Sequence, residues 1–487
     1  MLRIVLALAV TAAFLLAIGS SPREDTPPLR LSDGSLPNIL LLTVDTLRAD
    51  HLGYVRSGPV DLTPALDSIT SSGTAFSAAS TPAPTTRAAT AALMTGSYRS
   101  RHGVRGNAWN LGRKMPVLAE VLAAAGYRTA AFFGNGILDP KYGFGRGFES
   151  YESFSEPPPN GGSSKDEVGV TRAVEWLEEG PREPWFLWLH LMDPHGPYNS
   201  APTHVRAAPR GVDDRPERIL KPASRNTGLG VLPRYQMLPG VRKASAYRLR
   251  YRAEIRHMDA QVRRLLRAME ALGLGPKTLI VLTADHGEGL GDRDYFFQHG
   301  WFANEASVAV PLAFRLPGRV RPGVTLDAAV SLVDVSPTLI GGLGLEVPPL
   351  MQGRDLSPAL AVGRPLPVPP GPVFSGSTLL SANASVRIGR WRLVHTPGAP
   401  TSGGAGPEDP WEPYYEPEES YRLFDVVADP AETVDLADQR PEKVAELRAL
   451  LNAWTEEQAL AAGRPGEGSA TANRHLFEML KSLGYVD

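Results

Sequence analysis

Asn38-Ile-Leu-Leu-Leu-Thr-Val-Asp45 is an almost unbroken apolar run that stops at an acid. A strand buried on both faces of a parallel sheet reads this way, because helices cover both sides and no face alternates with solvent. Residues 185–193 (WFLWLHLMD) and 278–285 (TLIVLTAD) have the same character, and both also end in an acid. Helical spacing fills the intervals at residues 117–125, 168–179 and 247–272, and residues 128–133 read as a short strand. Strands alternating with helices predict an α/β fold with a large, mostly parallel central sheet flanked by helices.

Outward from this core the chain changes character twice. Met1-Leu-Arg precedes a fifteen-residue apolar run (4–18), broken only by Thr11, and then Gly19-Ser20-Ser21. Residues 1–21 read as a secretory signal peptide, with an uncleaved anchor as the other reading, since the run is short for a membrane span. The expectation is an exported protein, periplasmic or secreted, in contact with a membrane only if residues 4–18 remain as an anchor. Residues 22–36 read as a spacer, and 37–349 as the main domain with a Pro/Arg/Gly-rich surface insertion at 200–246. Residues 350–462 read as a smaller α+β subdomain with a short antiparallel sheet, because residues 385–396 and 421–427 alternate polar with apolar. Residues 463–487 read as a linker and terminal helix.

Lys and Arg number 50 against 52 Asp and Glu, a net charge of −2, so no bulk basic field exists to hold nucleic acid. Any anion must be bound locally. The absence of cysteine excludes disulfides, thiolate metal sites and cysteine nucleophiles.

The chemistry falls at strand ends, where ligands bind in open α/β sheets. Asp45 and Asp285 close two of the apolar runs; Thr46 and His286 follow them. If those strands are neighbours, two carboxylates, an imidazole and a hydroxyl form a hard-to-borderline donor set for one divalent cation. The other reading is that each acid caps its own turn. The third run leads into Asp193-Pro-His195-Gly-Pro-Tyr198, a proline-braced loop whose histidine suits anion contact or proton donation. His299, fourteen residues beyond Asp285, can reach the same pocket. Thr85-Thr86-Arg87 opens an Ala-rich helix, and a helix N-terminus favours an oxyanion. A threonine there is either a metal-activated nucleophile or an N-cap.

Together these segments resemble the sulfatase family within the alkaline phosphatase superfamily. Asn38 to Gly53 resembles its opening strand and first metal ligand; Leu93-Met-Thr-Gly96 with Arg101-His102-Gly103 resembles the segment after its nucleophile. Asp193 to Tyr198 resembles its substrate-binding histidine loop, and Thr283-Ala-Asp285-His286-Gly-Glu288 with His299-Gly300 its second metal segment. The similarity continues in order through Ser331–Leu339, 351–357, 423–430 and 480–485. It implies an alkaline-phosphatase-like sandwich and a metal-dependent hydrolase of small-molecule or glycan sulfate esters. It further implies a metal held by Asp45, Thr46, Asp285 and His286, and catalytic roles for Thr86, His195 and His299, with the two histidines across the anion pocket from the metal. Arg87, His102 and Asn135 are implied as substrate contacts.

The departures are as informative as the matches. The family signature Cys/Ser-x-Pro-x-Arg, whose first residue becomes formylglycine, falls on Thr86-Arg87-Ala88-Ala89-Thr90. No formylglycine is expected. A segment of the Gly-Lys-Trp-His-Leu-Gly type is replaced by Gly134-Asn135-Gly136-Ile137. Family resemblance implies Ca2+; the Asp/Asp/His/Thr set leans toward Zn2+ or Mn2+. A threonine nucleophile keeps open a phosphoester or phosphonoester hydrolase, or a phosphoryl-type transferase. The missing cationic residues keep open a non-catalytic binding protein with this fold.

Overall fold

The computed structural model describes residues 29–462, apart from 32, 56–60, 135, 155–163, 210–214, 216, 224–227, 364–366, 378–382 and 399–417. The leader at 1–21, the first part of the spacer and the segment 463–487 lie outside the described residues.

The strands in chain order are β1 (Asn38–Val44), β2 (Thr74–Ser80), β3 (Arg128–Phe133), β4 (Ser150–Ser153), β5 (Trp185–Leu191), β6 (Thr278–Ala284), β7 (Gly289–Asp292), β8 (Tyr295–Gln298), β9 (Leu312–Arg315), β10 (Val324–Ser331), β11 (Val373–Gly376), β12 (Ala384–Ile388), β13 (Trp391–Thr396) and β14 (Ser420–Asp425). Eight of them form the main sheet in the order β10-β2-β9-β6-β1-β5-β3-β4. All its pairings are parallel except those of β9, which runs antiparallel to both neighbours. The three long apolar runs are β1, β5 and β6, side by side at the centre, and every residue in them is buried. That double-sided burial is why they carry no polar alternation.

Two groups of helices pack among themselves around this sheet. One joins Pro64–Ser71 and Lys165–Glu178 to the 28-residue helix Ala244–Ala271; the other joins Thr86–Thr95, Leu118–Ala124 and Val335–Gly342. Along the long helix, Tyr247, Tyr251, Ile255, Met258, Val262, Leu265 and Met269 are buried at steps of three and four, one apolar stripe facing the core. Among the described residues no helix is long and apolar enough to cross a membrane.

A smaller antiparallel sheet, β11-β12-β13-β14, follows in the last quarter. The helix Pro441–Ala462 covers it, with Leu447, Leu451 and Trp454 buried against Ala384, Val386, Leu393 and Leu423. Arg387 and Arg392 pair with Glu305 at 3.0 and 2.6 Å and tie this sheet to the larger unit.

The stretch expected as a surface insertion is partly internal. Leu220, Leu232 and Gln236 are buried, and Tyr235 and Gln236 both donate to the Phe297 carbonyl, at 2.8 and 3.1 Å. Gln236 also lies against Gly196, where an added Cβ would come within 2.1 Å of its amide. The weak periodicity of the stretch hides a brace for the His195 loop.

Candidate active site

The register of the central strands builds the site. Val44 pairs with Leu191 on one side and with Ala284 on the other, so β1, β5 and β6 end level. The next residues, Asp45, Met192 and Asp285, therefore emerge at one edge. Ligand atoms of Asp45, Asp285 and His286 lie within 4.8 Å of one another, and all three residues are buried. Thr46 takes a left-handed backbone (φ 58°), which turns its N–H onto Asp285 Oδ1 at 3.2 Å. His286 N–H donates to the same oxygen at 2.8 Å, and Tyr251 holds the Thr46 carbonyl at 2.7 Å.

The electrostatics of the cluster suit a cation. Burial opposes a charge on Asp45, yet His195, His190 and His286 around it prevail and hold its carboxyl well below the usual range. Burial, and then the charge of Asp45, push Asp285 up to about 6. Burial lowers His286, which favours the neutral ligand form. Its Nδ1 lies 2.9 Å from the Gly287 carbonyl and must carry the hydrogen, which leaves Nε2, 3.5 Å from Asp285 and 3.7 Å from Asp45, as the coordinating atom. Asp285 Oδ2 and the Thr46 hydroxyl are buried with no hydrogen-bond partner among the described residues. Orphaned buried oxygens are costly. Oxygen donors plus one imidazole fit a divalent cation of the Ca, Mn or Zn kind.

Thr86 is the first residue of the wholly buried helix Thr86–Thr95; Thr85 occupies the N-cap position, without a side-chain cap bond. The Thr86 hydroxyl lies 3.4 Å from Asp45 Oδ2 and 3.5 Å from His286 Nε2. It borders the cluster and does not cap the helix.

The other histidines are placed by their loops. His195 Nδ1 donates to the Gly196 carbonyl at 2.8 Å, in a loop whose two X–Pro bonds are both cis. His299 is returned to the site by the β7–β8 hairpin, whose Arg293-Asp294 turn has φ of 51° and 62°. Two positive φ values are the mark of a tight hairpin turn, though Arg-Asp lacks the Asn-Gly chemistry that would announce one. His195 and His299 stand side by side, with ring centroids 5.2 Å apart, and His299 lies 4.4 Å from His286. His299 thus borders the metal-ligand residues instead of facing them across the pocket, because the hairpin folds straight back over His286. Burial, and then His195, push His299 down to about 3.

Two residues join the site without having been singled out. Glu288 places Oε1 3.3 Å from His299 Nδ1 and accepts from the Tyr198 hydroxyl on Oε2 at 3.0 Å. Burial pushes it up to about 7. An acid two residues after His286 within a Gly-rich turn was the available signal. His190, inside β5, bonds Thr43 Oγ1 at 2.8 Å and sits 3.6 Å from Asp45 Oδ2. A histidine within an apolar strand carries no such signal, because its role depends on which strand lies beside it.

Among the described residues no contact brings Arg87 or His102 to the cluster. Arg87 is fully buried: Nε and NH2 donate to the Ile137 carbonyl at 3.0 and 2.7 Å and NH1 to Trp109 at 3.2 Å. Its guanidinium also stacks over Tyr142, 3.9 Å from the ring centre. One step along a helix rotates a side chain by about 100°, which sends Arg87 into the core while Thr86 faces the cluster. His102 accepts from Val104 N–H at 3.0 Å and lines a small, mainly apolar cavity with Pro82, Ala88 and Trp454. Burial pushes it down to about 3. Asn135 lies outside the described residues.

The sequence model of the sulfatase family matches residues 37–345, more than half of the chain. The ulvan-active sulfatase of Formosa agariphila is 26% identical over 346 residues, 66% of this chain and 64% of that protein. The chain thus aligns to just under two thirds of that relative. A solved structure in complex with its substrate D-glucosamine-2-N,6-O-disulfate superposes with a TM-score of 0.68 at 19% identity, covering 87% of this chain and 98% of the other. The phosphonate monoester hydrolase of Agrobacterium radiobacter does so with 0.65 at 20% identity, covering 87% and 96%. With its fold, its sheet-edge cluster and this match, the chain belongs to the sulfatase family, hydrolases of the alkaline phosphatase superfamily.

Proposed function

We propose that the protein is a metal-dependent hydrolase of sulfate esters in which Thr86 is the nucleophile. The observation that carries this reading is the Thr86 hydroxyl, 3.4–3.5 Å from both Asp45 and His286 at the edge of a buried donor set. Asp45, Asp285 and His286 would hold one divalent ion, with Thr46 as a further donor; when bound, the ion supplies charge stabilisation and lowers the pKa of a nearby hydroxyl. Thr86 Oγ1 releases its proton to water and attacks sulfur, forming a threonyl sulfate as the S–O bond to the alcohol oxygen breaks. His195, with Nδ1 committed to the Gly196 carbonyl, uses Nε2 to give that oxygen a proton. Glu288 fixes the His299 ring through Nδ1, so that its Nε2 faces the transferring group. A threonine has a single hydroxyl, so water must cleave the ester at sulfur to regenerate Thr86.

The same geometry supports a second reading, cleavage of phosphonate or phosphate esters. The single hydroxyl and His286 in the ligand set favour it, and a phosphonate monoester hydrolase shares the fold. The apolar leader supports export of either enzyme. Aryl sulfate, phosphate and phosphonate esters assayed with Ca2+, Mn2+ and Zn2+ test the proposal. The fastest ester names the class. Turnover of none, or full turnover by Thr86→Ala, defeats the threonine mechanism.

A further inference from the structure

Lys165 is a cation at the edge of the candidate site. It is the first residue of the helix Lys165–Glu178, where the helix N-terminus is itself positive, and Ser164 already caps that end. It is half-buried, and among the described residues its ammonium makes no hydrogen bond and no ion pair. Asp193 is the nearby acid whose charge it favours, but burial, reinforced by Asp166 and Glu254, disfavours charge on Asp193. A partly exposed ammonium with no hydrogen-bond or ion-pair partner among the described residues is available to an anionic ligand.

The lysine is held at the active-site edge. An added Cβ on Gly134 would come within 2.7 Å of Lys165 Cβ, 3.3 Å of its Cδ and 3.0 Å of Met192 Cγ. The stem therefore lies over the residue that follows β3, beside the residue that follows β5. Phe133 pairs with His190, one register step before Leu191 meets Val44, so this position is level with the end of β1. It stands two strand spacings from Asp45, about 10 Å. The neighbouring Asp166 accepts from Met192 N–H at 2.6 Å and Asp193 N–H at 3.2 Å. One carboxylate thus clamps the helix that carries Lys165 to the loop that carries His195.

We infer that Lys165 binds a second anionic group of the substrate, a carboxylate or sulfate about one sugar ring from the ester being cleaved. The preferred substrates are then esters of alcohols that are themselves negatively charged. This rests on the reading of the Asp45 cluster as the ester-cleaving centre, and it adds a specificity-determining contact outside that cluster.

Binding of two non-hydrolysable probes, benzenesulfonate and meta-benzenedisulfonate, to the metal-loaded protein tests the inference by calorimetry. The wild type should bind the disulfonate about tenfold more tightly, as one charge-assisted contact at a half-buried site allows. Lys165→Met should erase that preference and leave benzenesulfonate affinity unchanged, and Lys165→Arg should restore most of it. No preference in the wild type, a preference that survives in Lys165→Met, or an equal loss for both probes would overturn it. A lower melting temperature in Lys165→Met with the preference intact would make the lysine a structural cation, which also overturns it. Aryl-ester turnover by the same preparation reports separately on the proposed reaction: turnover without a disulfonate preference sinks only the role of Lys165.

Discussion

Asp285→Asn should reverse its effect on stability according to whether a metal is present. The carboxylates of Asp45 and Asp285 lie within 4.8 Å in a buried setting. At that separation and an effective dielectric of about 20, two unit negative charges repel by about 3.5 kcal/mol. Asparagine keeps the Oδ1 that accepts from Thr46 and His286 N–H, and replaces the unpartnered Oδ2 with a donor. Unfolding entropy of about 2.1 cal/mol/K per residue over 487 residues is about 1 kcal/mol/K, so the chelated variant should melt about 3 °C above chelated wild type at pH 8. Asp285 is raised to about 6 in the folded state, so its stabilising contribution is complete below its unfolded value and lost as the pH rises through about 6. The advantage of the variant should therefore fall to about half at pH 5 and vanish only below about pH 4. With a divalent ion at a hundredfold excess over its dissociation constant, wild type should gain about 2.7 kcal/mol and the variant much less. Differential scanning calorimetry in chelator and in metal gives all of these values. A variant no more stable than wild type in chelator, or a wild type indifferent to chelation, would refute the reasoning.

Thr86→Ala should abolish turnover while metal content stays intact, and Thr86→Ser should retain activity; steady-state kinetics beside metal analysis decides this. Retained turnover in Thr86→Ala would assign the attack to water. His195→Ala should slow esters with poor leaving groups by about a hundredfold more than activated aryl esters, because only the former need an acid. Equal losses across a leaving-group series would make His195 a binding residue. Arg87→Leu removes the donor to the buried Ile137 carbonyl and the part-buried Trp109 carbonyl and should cost about 3 kcal/mol in denaturant unfolding, with KM unchanged. A raised KM at unchanged stability would return Arg87 to the substrate.

The sequence by itself determined the central strands, because burial on both faces leaves an apolar run that needs no partner to be recognised. It also determined that Asp45 and Asp285 end two such runs. What it could not determine was adjacency. Only the tertiary structure puts β5 and β6 on either side of β1 in a register that ends all three level, and the candidate metal-ligand set exists only through that register. His190 was invisible in the same way, since its meaning comes from its neighbour Asp45, whereas Glu288 was announced by its place two residues after His286 but given its partner His299 only by the fold. Arg87 shows the converse: adjacent to Thr86 in sequence, it points into the core because a helix turns about 100° per residue. Hydrophobic period is a local property that the chain carries within a few residues. Which polar groups meet at a sheet edge is set by strand order and register, and those are decided by contacts between residues as far apart as Asp45 and Asp285.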